Sequence, residues 1–107
     1  MVLFTRWGMG DAPAELQQKL AGIFLNLLKQ DTAPGVIAFY GDGVKLACEG
    51  SPALDQLRAL SDKGVRLVIC QTCLDFYGMR DQVRVGIIGG MGDIVAAMKS
   101  AAKVISV

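Results

Sequence analysis

The segment GVRLVICQTCLDFYG, residues 64–78, shows how this chain is built. Residues 65–69 are valine, leucine and isoleucine except for Arg66, which predicts a strand. Two cysteines, Cys70 and Cys73, follow where this run gives way to a polar turn or short helix over residues 71–78. The segment therefore predicts a layered fold in which a strand carries thiols to the edge of a sheet.

The same alternation of strand and helix patterns continues outward in both directions. Strands are predicted at residues 2–6, 36–40, 65–69, more weakly at 83–85, and at 103–107. Helices are predicted at residues 11–28, 51–63 and 93–101. This order predicts an α/β fold, a three-layer α/β/α sandwich with a central, mostly parallel sheet of about five strands. Residues 1–107 are long enough for a single domain.

Details of the helices also follow from the sequence. Asp11 is predicted to cap the first helix and Ser51 the second. Six apolar side chains at helical spacing in the first helix are predicted to lie on one buried face: Leu16, Leu20, Ile23, Phe24, Leu27 and Leu28. The glycine cluster GIIGGMGD, residues 86–93, is predicted to be a sharp turn, with a phosphate-binding loop as the alternative.

Composition limits the classes of function. Apolar residues make up 52% of the chain and its mean hydropathy is +0.42, which favours a homo-oligomer that covers part of an oily surface. No apolar stretch approaches the ~20 residues of a membrane-spanning helix, and the N-terminus has no export signal, so we expect a cytoplasmic protein without a membrane partner. A net charge of +1, without a basic block, argues against nucleic acid as a partner.

The cysteines are the candidate functional residues. The chain has three, Cys48, Cys70 and Cys73, and no histidine. A structural zinc site needs four ligands, so no metal is expected. Cys70 and Cys73 can instead form a redox dithiol of the CxxC type, or be small apolar fillers of the core.

The predicted topology gathers all three thiols at one edge. Loops at residues 7–11, 41–50 and 70–78 follow the first three strands, and ligands collect outside the carboxyl ends of parallel strands. Amide groups of the turn after residue 70 can stabilise a thiolate there. We therefore expect the sulfur of Cys70 to be open to solvent and ionisable at this edge.

The block CQTCLDFYGM, residues 70–79, resembles the C-x-T-C-x-D-x-x-G signature of the DsrE/DsrF/TusD-like sulfur-relay family. Three further blocks, GVKLACEGS, GVRLVIC and AAKVISV, are similar to the DsrE-like domain of selenium-metabolism proteins of the YedF type. The resemblance extends over nearly the whole chain.

The resemblance implies a protein that carries sulfur as a persulfide between protein partners, without a cofactor, and that assembles into trimers or hexamers. It implies Cys70 as the carrier and Cys73 as the thiol that resolves or receives. Cys48 is the third candidate site residue and matches the cysteine of the YedF-like KLxCEGS segment. Proteins of the YedF type have an additional TusA-like domain, and no segment here resembles it. The expected partner is therefore a separate TusA-like sulfur carrier.

Two other functions fit the residues. One is a dithiol redox or thiol-sensing switch that uses Cys70 and Cys73. The other is a non-catalytic assembly module with buried cysteines. Sulfur transfer is favoured because it needs an accessible thiolate but no histidine, since an incoming persulfide contains its own leaving thiol.

Overall fold

The computed structural model of the protein describes residues 1–30 and 33–107. Its strands are β1 (Val2–Phe4), β2 (Val36–Phe39), β3 (Arg66–Cys70), β4 (Ile87–Gly89) and β5 (Ile105–Ser106). Its α-helices are α1 (Ala14–Leu28), α2 (Leu54–Asp62), α3 (Gln71–Tyr77) and α4 (Met91–Ser100). Two 3₁₀ helices lie at Gly41–Ala47 and Arg80–Gln82.

The five strands form one sheet in the order β4-β3-β2-β1-β5, and every pairing is parallel. The chain moves from β1 to β4 in one direction and then crosses back to place β5 beside β1. Because crossovers between parallel strands are right-handed, this reversal puts α4 on the opposite face from α1 and α2. The predicted three-layer α/β/α sandwich is confirmed, with a fully parallel sheet.

The core on the α1 side is built around aromatic rings. Phe4 of β1 stacks on Phe39 of β2 at 5.6 Å between centroids, and meets Phe24 of α1 edge-on at 6.1 Å. Alternate residues of a strand point to opposite faces, so Val68 and Cys70 of β3 point to the α4 side. The cysteine-bearing end of β3 therefore lies between the sheet and the layer of α4.

The prediction of a strand at residues 83–85 is wrong. The fourth strand is Ile87–Gly89, inside the glycine cluster that was expected to be a turn. Glycine is rare in strands, so the sequence did not indicate β4. Gly89 is needed here because a side chain at this position would meet Val68 Cγ1 of β3 at 2.8 Å. Val83 instead forms an isolated antiparallel bridge with Cys48.

The start of α1 also differs from the prediction. The helix begins at Ala14 after Pro13, whose position carries no side-chain cap, so the prediction that Asp11 caps it is wrong. The prediction that Ser51 caps the second helix is also wrong: the N-cap of α2 is Ala53, without a side-chain cap, and the Ser51 hydroxyl accepts the N–H of Ala53, one residue before α2 begins. Proline suits a helix start because its missing N–H would have no partner there.

The apolar residues of α1 do not share one buried face. Ala21 and Leu25 are fully buried, and Phe24 and Leu28 pack against the core. The other four predicted core residues are exposed to between 37% and 59%: Leu16, Leu20, Ile23 and Leu27. A helix on a sheet buries one stripe, and the seven leucine, isoleucine and phenylalanine positions of α1 cover more than one. Within residues 1–30 and 33–107, no helix has the length and apolar character needed to cross a bilayer.

Candidate functional site

Cys73 is a partly buried thiol in the first turn of α3. Its Sγ accepts a hydrogen bond from the backbone N–H of Gly41 at 3.0 Å. Gly41 follows β2 and Cys73 follows β3, and these strands are neighbours in the sheet. The carboxyl ends of two parallel strands thus bring a backbone donor and a thiol together, as the sequence predicted for this edge.

Two glycines allow this approach. Gly41 has a positive φ of +59°, which disfavours residues with a side chain. A side chain at Gly43 would meet the carbonyl oxygen of Phe4 at 2.0 Å, because the 3₁₀ helix lies directly over the end of β1. The GDG sequence after β2 therefore fixes the amide of residue 41 close to the thiol.

Cys70 lies at the end of β3 and is 0% exposed in the single chain. The prediction that its sulfur is open at the edge of the sheet is therefore wrong. Cys70 pairs with Gly89 of β4 and points to the α4 side of the sheet, where Ile94 of α4 is also fully buried. Cys70 is the last residue of β3 but is not exposed, because α3 begins immediately after it.

Cys48 is also sealed. It ends the first 3₁₀ helix, is 0% exposed, and its thiol donates to the carbonyl oxygen of Val44 at 3.3 Å. Burial raises the pKa of Cys48, and the charge of Arg84 lowers it in part. These contacts are those of a core residue rather than of a nucleophile.

The electrostatic environment of Cys73 links it to Cys70. Burial is the main cause that raises the pKa of Cys73, the Gly41 N–H lowers it, and the neighbouring Cys70 thiol raises it further. The structure therefore brings Cys70 and Cys73 together, whereas Arg84 is the charged group that acts on Cys48. Within the described ranges, 1–30 and 33–107, no group of three or more His, Cys, Asp or Glu side chains is placed to hold a metal ion.

A charged and aromatic group of residues borders this thiol, and sequence reasoning missed it. The Tyr77 hydroxyl donates to Asp42 Oδ1 at 2.5 Å, and Lys45 Nζ lies 3.2 Å from the same oxygen. Lys45 Nζ also lies 4.7 Å from the centre of the Tyr77 ring and 5.1 Å from that of Trp7. These contacts fix the orientation of the helix face that bears Cys73.

Charges in this group influence one another. The Tyr77 hydrogen bond and then Lys45 hold the pKa of Asp42 below its usual value. Asp42 is the main cause that raises the pKa of Tyr77, and Cys73 adds a smaller contribution. The spacing of Cys73 and Tyr77, four residues apart on one helix, was the sequence signal that could have joined them.

The match to a family model covers most of the chain. Residues 9–107 match the model of the DsrE/DsrF-like family. The chain belongs to this family. The resemblance read from the CQTCLDFYGM block is thus confirmed at the level of the family, while no curated protein matches the chain.

Two solved structures are similar over almost their whole length. The ychN protein of E. coli superposes with a TM-score of 0.72 at 17% identity, and this chain covers 97% of it. MTH1491 of Methanobacterium thermoautotrophicum, a protein of unknown function, gives a TM-score of 0.66 at 22% identity, again with 97% covered. In both comparisons 99% of this chain is matched. At such identities the likeness concerns the fold.

Proposed function

We propose that this DsrE/DsrF-like protein is a sulfur-relay protein that receives sulfane sulfur on the Cys70–Cys73 pair and passes it to another protein. The observation that carries the proposal is the partly open Cys73 thiol with the Gly41 N–H 3.0 Å from its sulfur. Membership of the family supports a role connected with sulfur relay.

The proposed transfer is a displacement between sulfur atoms. Cys73 Sγ loses its proton to solvent and attacks the outer sulfur of a persulfide on the donor protein. A new S–S bond forms on Cys73, the donor's S–S bond breaks, and the donor leaves as a thiolate. The donor supplies sulfur at the required oxidation level, so the step needs no oxidant, and the Gly41 N–H stabilises the negative sulfur.

Burial sets the order in which the two thiols act. The resemblance implies Cys70 as the carrier, but Cys70 is fully buried and a protein donor first meets Cys73. We propose Cys73 as the entry thiol and Cys70 as the neighbour that receives or shields the sulfur. Cys48, sealed beside Val44, takes no part.

The partner and setting follow from the resemblance and belong to the same proposal. We propose a separate TusA-like carrier as the exchange partner, in the cytoplasm, with this chain acting as a sulfurtransferase of the YedF-like type.

The test is sulfur loading followed by intact mass measurement. The chain is incubated with a persulfide donor, and the mass of one added sulfur that a reductant removes is expected. Cys73→Ser should lose this increment, whereas Cys48→Ser, the matched control, should keep it. Full loading of Cys73→Ser would overturn the assignment of the entry thiol, and absence of loading in the unchanged chain would overturn the function.

A dithiol switch is the second candidate, favoured by the influence of the Cys70 thiol on the pKa of Cys73. A mild disulfide oxidant would then remove two hydrogens from the chain and block alkylation of Cys73. Sulfur transfer predicts a gain of sulfur mass with the donor, so the two functions give mass changes of opposite sign.

A further inference from the structure

Two hydrogen bonds join α3 to the first 3₁₀ helix side by side. One runs from the Gly41 N–H to Cys73 Sγ at 3.0 Å, and the other from the Tyr77 hydroxyl to Asp42 Oδ1 at 2.5 Å. Gly41 and Asp42 are neighbours in the chain, while Cys73 and Tyr77 lie one helical turn apart on the same face of α3. The two contacts are therefore adjacent, and loss of one is expected to displace the other.

The 3₁₀ helix at Gly41–Ala47 is the fixed member of this pair of elements. Its start is tied to the sheet, since the Tyr40 N–H donates to the carbonyl oxygen of Phe4 in β1 at 3.1 Å. Four of its seven residues are buried: Gly43, Val44, Leu46 and Ala47. The N–H of Gly41 therefore has a fixed position relative to the sheet.

The helix that bears the thiol is held less firmly. Within α3, whose seven residues are all described, Leu74 alone is buried. A helix of two turns has little stability of its own. α3 continues directly from β3, which fixes where the helix starts but not its angle to the 3₁₀ helix. The hydrogen bonds of Asp75 do not fix this angle either, because their partner, Arg80, follows α3 in the same segment of the chain.

We propose that Tyr77 is a positioning residue for Cys73, whose hydrogen bond to Asp42 holds α3 at the angle that keeps the sulfur on the Gly41 N–H. The inference rests on the proposed function, because it gives Tyr77 a part in the transfer that begins on Cys73. In this role Tyr77 acts through α3 on the donor that stabilises the thiolate. The Gly41 N–H lowers the pKa of Cys73, so a displaced sulfur would ionise less readily at a given pH.

The charges around Tyr77 favour a lasting hydrogen bond. Asp42 raises the pKa of Tyr77 above its usual value of 10.0, so at neutral pH the hydroxyl is protonated and donates. The same bond and Lys45 hold the pKa of Asp42 below its usual value of 3.8, so the carboxylate is charged and accepts. Lys45 Nζ lies 3.2 Å from Asp42 Oδ1 and 4.7 Å from the centre of the Tyr77 ring, and so contacts both partners.

The pH profile of Cys73 alkylation tests the inference in the folded chain. Initial rates with iodoacetamide are measured at several pH values, and peptide mass spectrometry identifies the labelled cysteine. Tyr77→Phe removes one oxygen atom and keeps the ring, and should shift the profile of Cys73 to higher pH. Loss of a hydrogen bond to a charged atom reduces ionisation about tenfold or more, so its partial loss should slow alkylation about three- to tenfold at pH 8. An unchanged profile would overturn the inference.

Variants of Asp42 separate the effect of position from that of charge. Asp42→Asn keeps an oxygen that accepts from Tyr77 and should not raise the profile. Asp42→Ala removes the acceptor and should raise it, although loss of a negative charge by itself would lower it. Tyr77→Phe combined with Asp42→Ala should shift the profile no further than either single variant, since both changes break one hydrogen bond. A downward shift in Asp42→Ala, or additive shifts in the double variant, would contradict the positioning role.

Asp75→Ala is the matched control for general loosening of α3. It removes the hydrogen bonds to Arg80 at 2.9 and 3.1 Å but leaves the contact between Tyr77 and Asp42, so it should not raise the profile. An upward shift equal to that of Tyr77→Phe would overturn the inference.

Alkylation needs no sulfur donor, which keeps this test separate from that of the proposed function. If the unchanged chain takes up no sulfur, the sulfur-relay function fails, whatever the alkylation profiles show. If the unchanged chain takes up sulfur but the Tyr77→Phe profile does not move, only the positioning role of Tyr77 fails.

Discussion

The backbone N–H of Gly41 lies 3.0 Å from the Sγ of Cys73, a residue 32 positions further along the chain. This contact joins the 3₁₀ helix after β2 to the helix after β3. A thiol held in this way has a fixed direction and a permanent donor for negative charge. The contact makes the reactivity of Cys73 depend on residues of both segments.

Removing the Cys70 thiol should make Cys73 more acidic. Cys70 is one of the causes that raise the pKa of Cys73, after burial, so Cys70→Ala should shift the pH profile of Cys73 alkylation to lower pH. Initial rates with iodoacetamide across the alkaline range measure the shift. Cys48→Ala is the control and should leave the profile in place; a shift of equal size there would contradict the pairing of the two thiols.

The folded chain should lose stability at alkaline pH. The pKa values of Cys48 and Cys73 are raised above the ordinary thiol value of 9.0, so above that pH the unfolded chain releases protons that the folded chain retains. The contribution of these two thiols to the free energy of unfolding should be constant below about pH 9 and should fall as the pH rises further. Urea unfolding at several pH values measures it, and Cys48→Ala should show a shallower fall than the unchanged chain.

Gly43 should tolerate no side chain. Its added Cβ would lie 2.0 Å from the Phe4 carbonyl oxygen, so Gly43→Ala should displace the 3₁₀ helix and cost about 1–3 kcal/mol of stability. Gly92→Ala is the control: it lies in α4 with nothing within 4 Å of the new methyl group, and should stabilise by about 0.5–1 kcal/mol. Thermal unfolding measures both, and a neutral Gly43→Ala would contradict the packing on β1.

The hydroxyl of Tyr77 should control the acidity of Asp42. Its hydrogen bond is the main cause of the lowered pKa of Asp42, so Tyr77→Phe should move that pKa up toward the usual value of 3.8. The chemical shift of the Asp42 carboxyl carbon, followed by NMR over a pH titration, measures this pKa. In Tyr40→Phe, a change of the same kind outside this contact, the titration of Asp42 should be unaltered; an equal rise in both variants would speak against the hydrogen bond.

A single side chain should hold α4 on the sheet. Within α4, whose residues are all described, Ile94 alone is buried, and it is 0% exposed. Ile94→Ala should therefore cost about 2–5 kcal/mol, while Val95→Ala, its exposed neighbour, should cost less than about 1 kcal/mol. Chemical denaturation compares the two, and similar losses would mean that other contacts retain the helix.

The layered fold could be predicted because its central strands, β2 and β3, consist mainly of apolar residues. β2 and β3 fall where residues 36–40 and 65–69 predicted them, and cysteine spacing identified the family. β4 could not be predicted in the same way. Its three residues end in Gly89, where a side chain would meet Val68 of the neighbouring strand, and that contact depends on residues distant in sequence.

The site was predicted in its location but not in its exposure. Sequence placed Cys70 and Cys73 at the edge of the sheet, where they are, but predicted an open Cys70, which is buried, whereas Cys73 is partly buried. Exposure depends on what covers a residue, and the segments that pack around the end of β3 come from distant parts of the sequence, such as the 3₁₀ helix at Gly41–Ala47. Trp7, Asp42, Lys45 and Tyr77 are brought together from three segments, which no local pattern reveals.

The unequal burial of the three cysteines makes the chain convenient for spectroscopy. Cys48 and Cys70 are enclosed, while Cys73 is partly open, so a dye or nitroxide of small size can be attached at one defined position without first deleting the others. A probe attached there would lie one helical turn from Tyr77 and would report on changes in its contacts with Asp42 and Lys45.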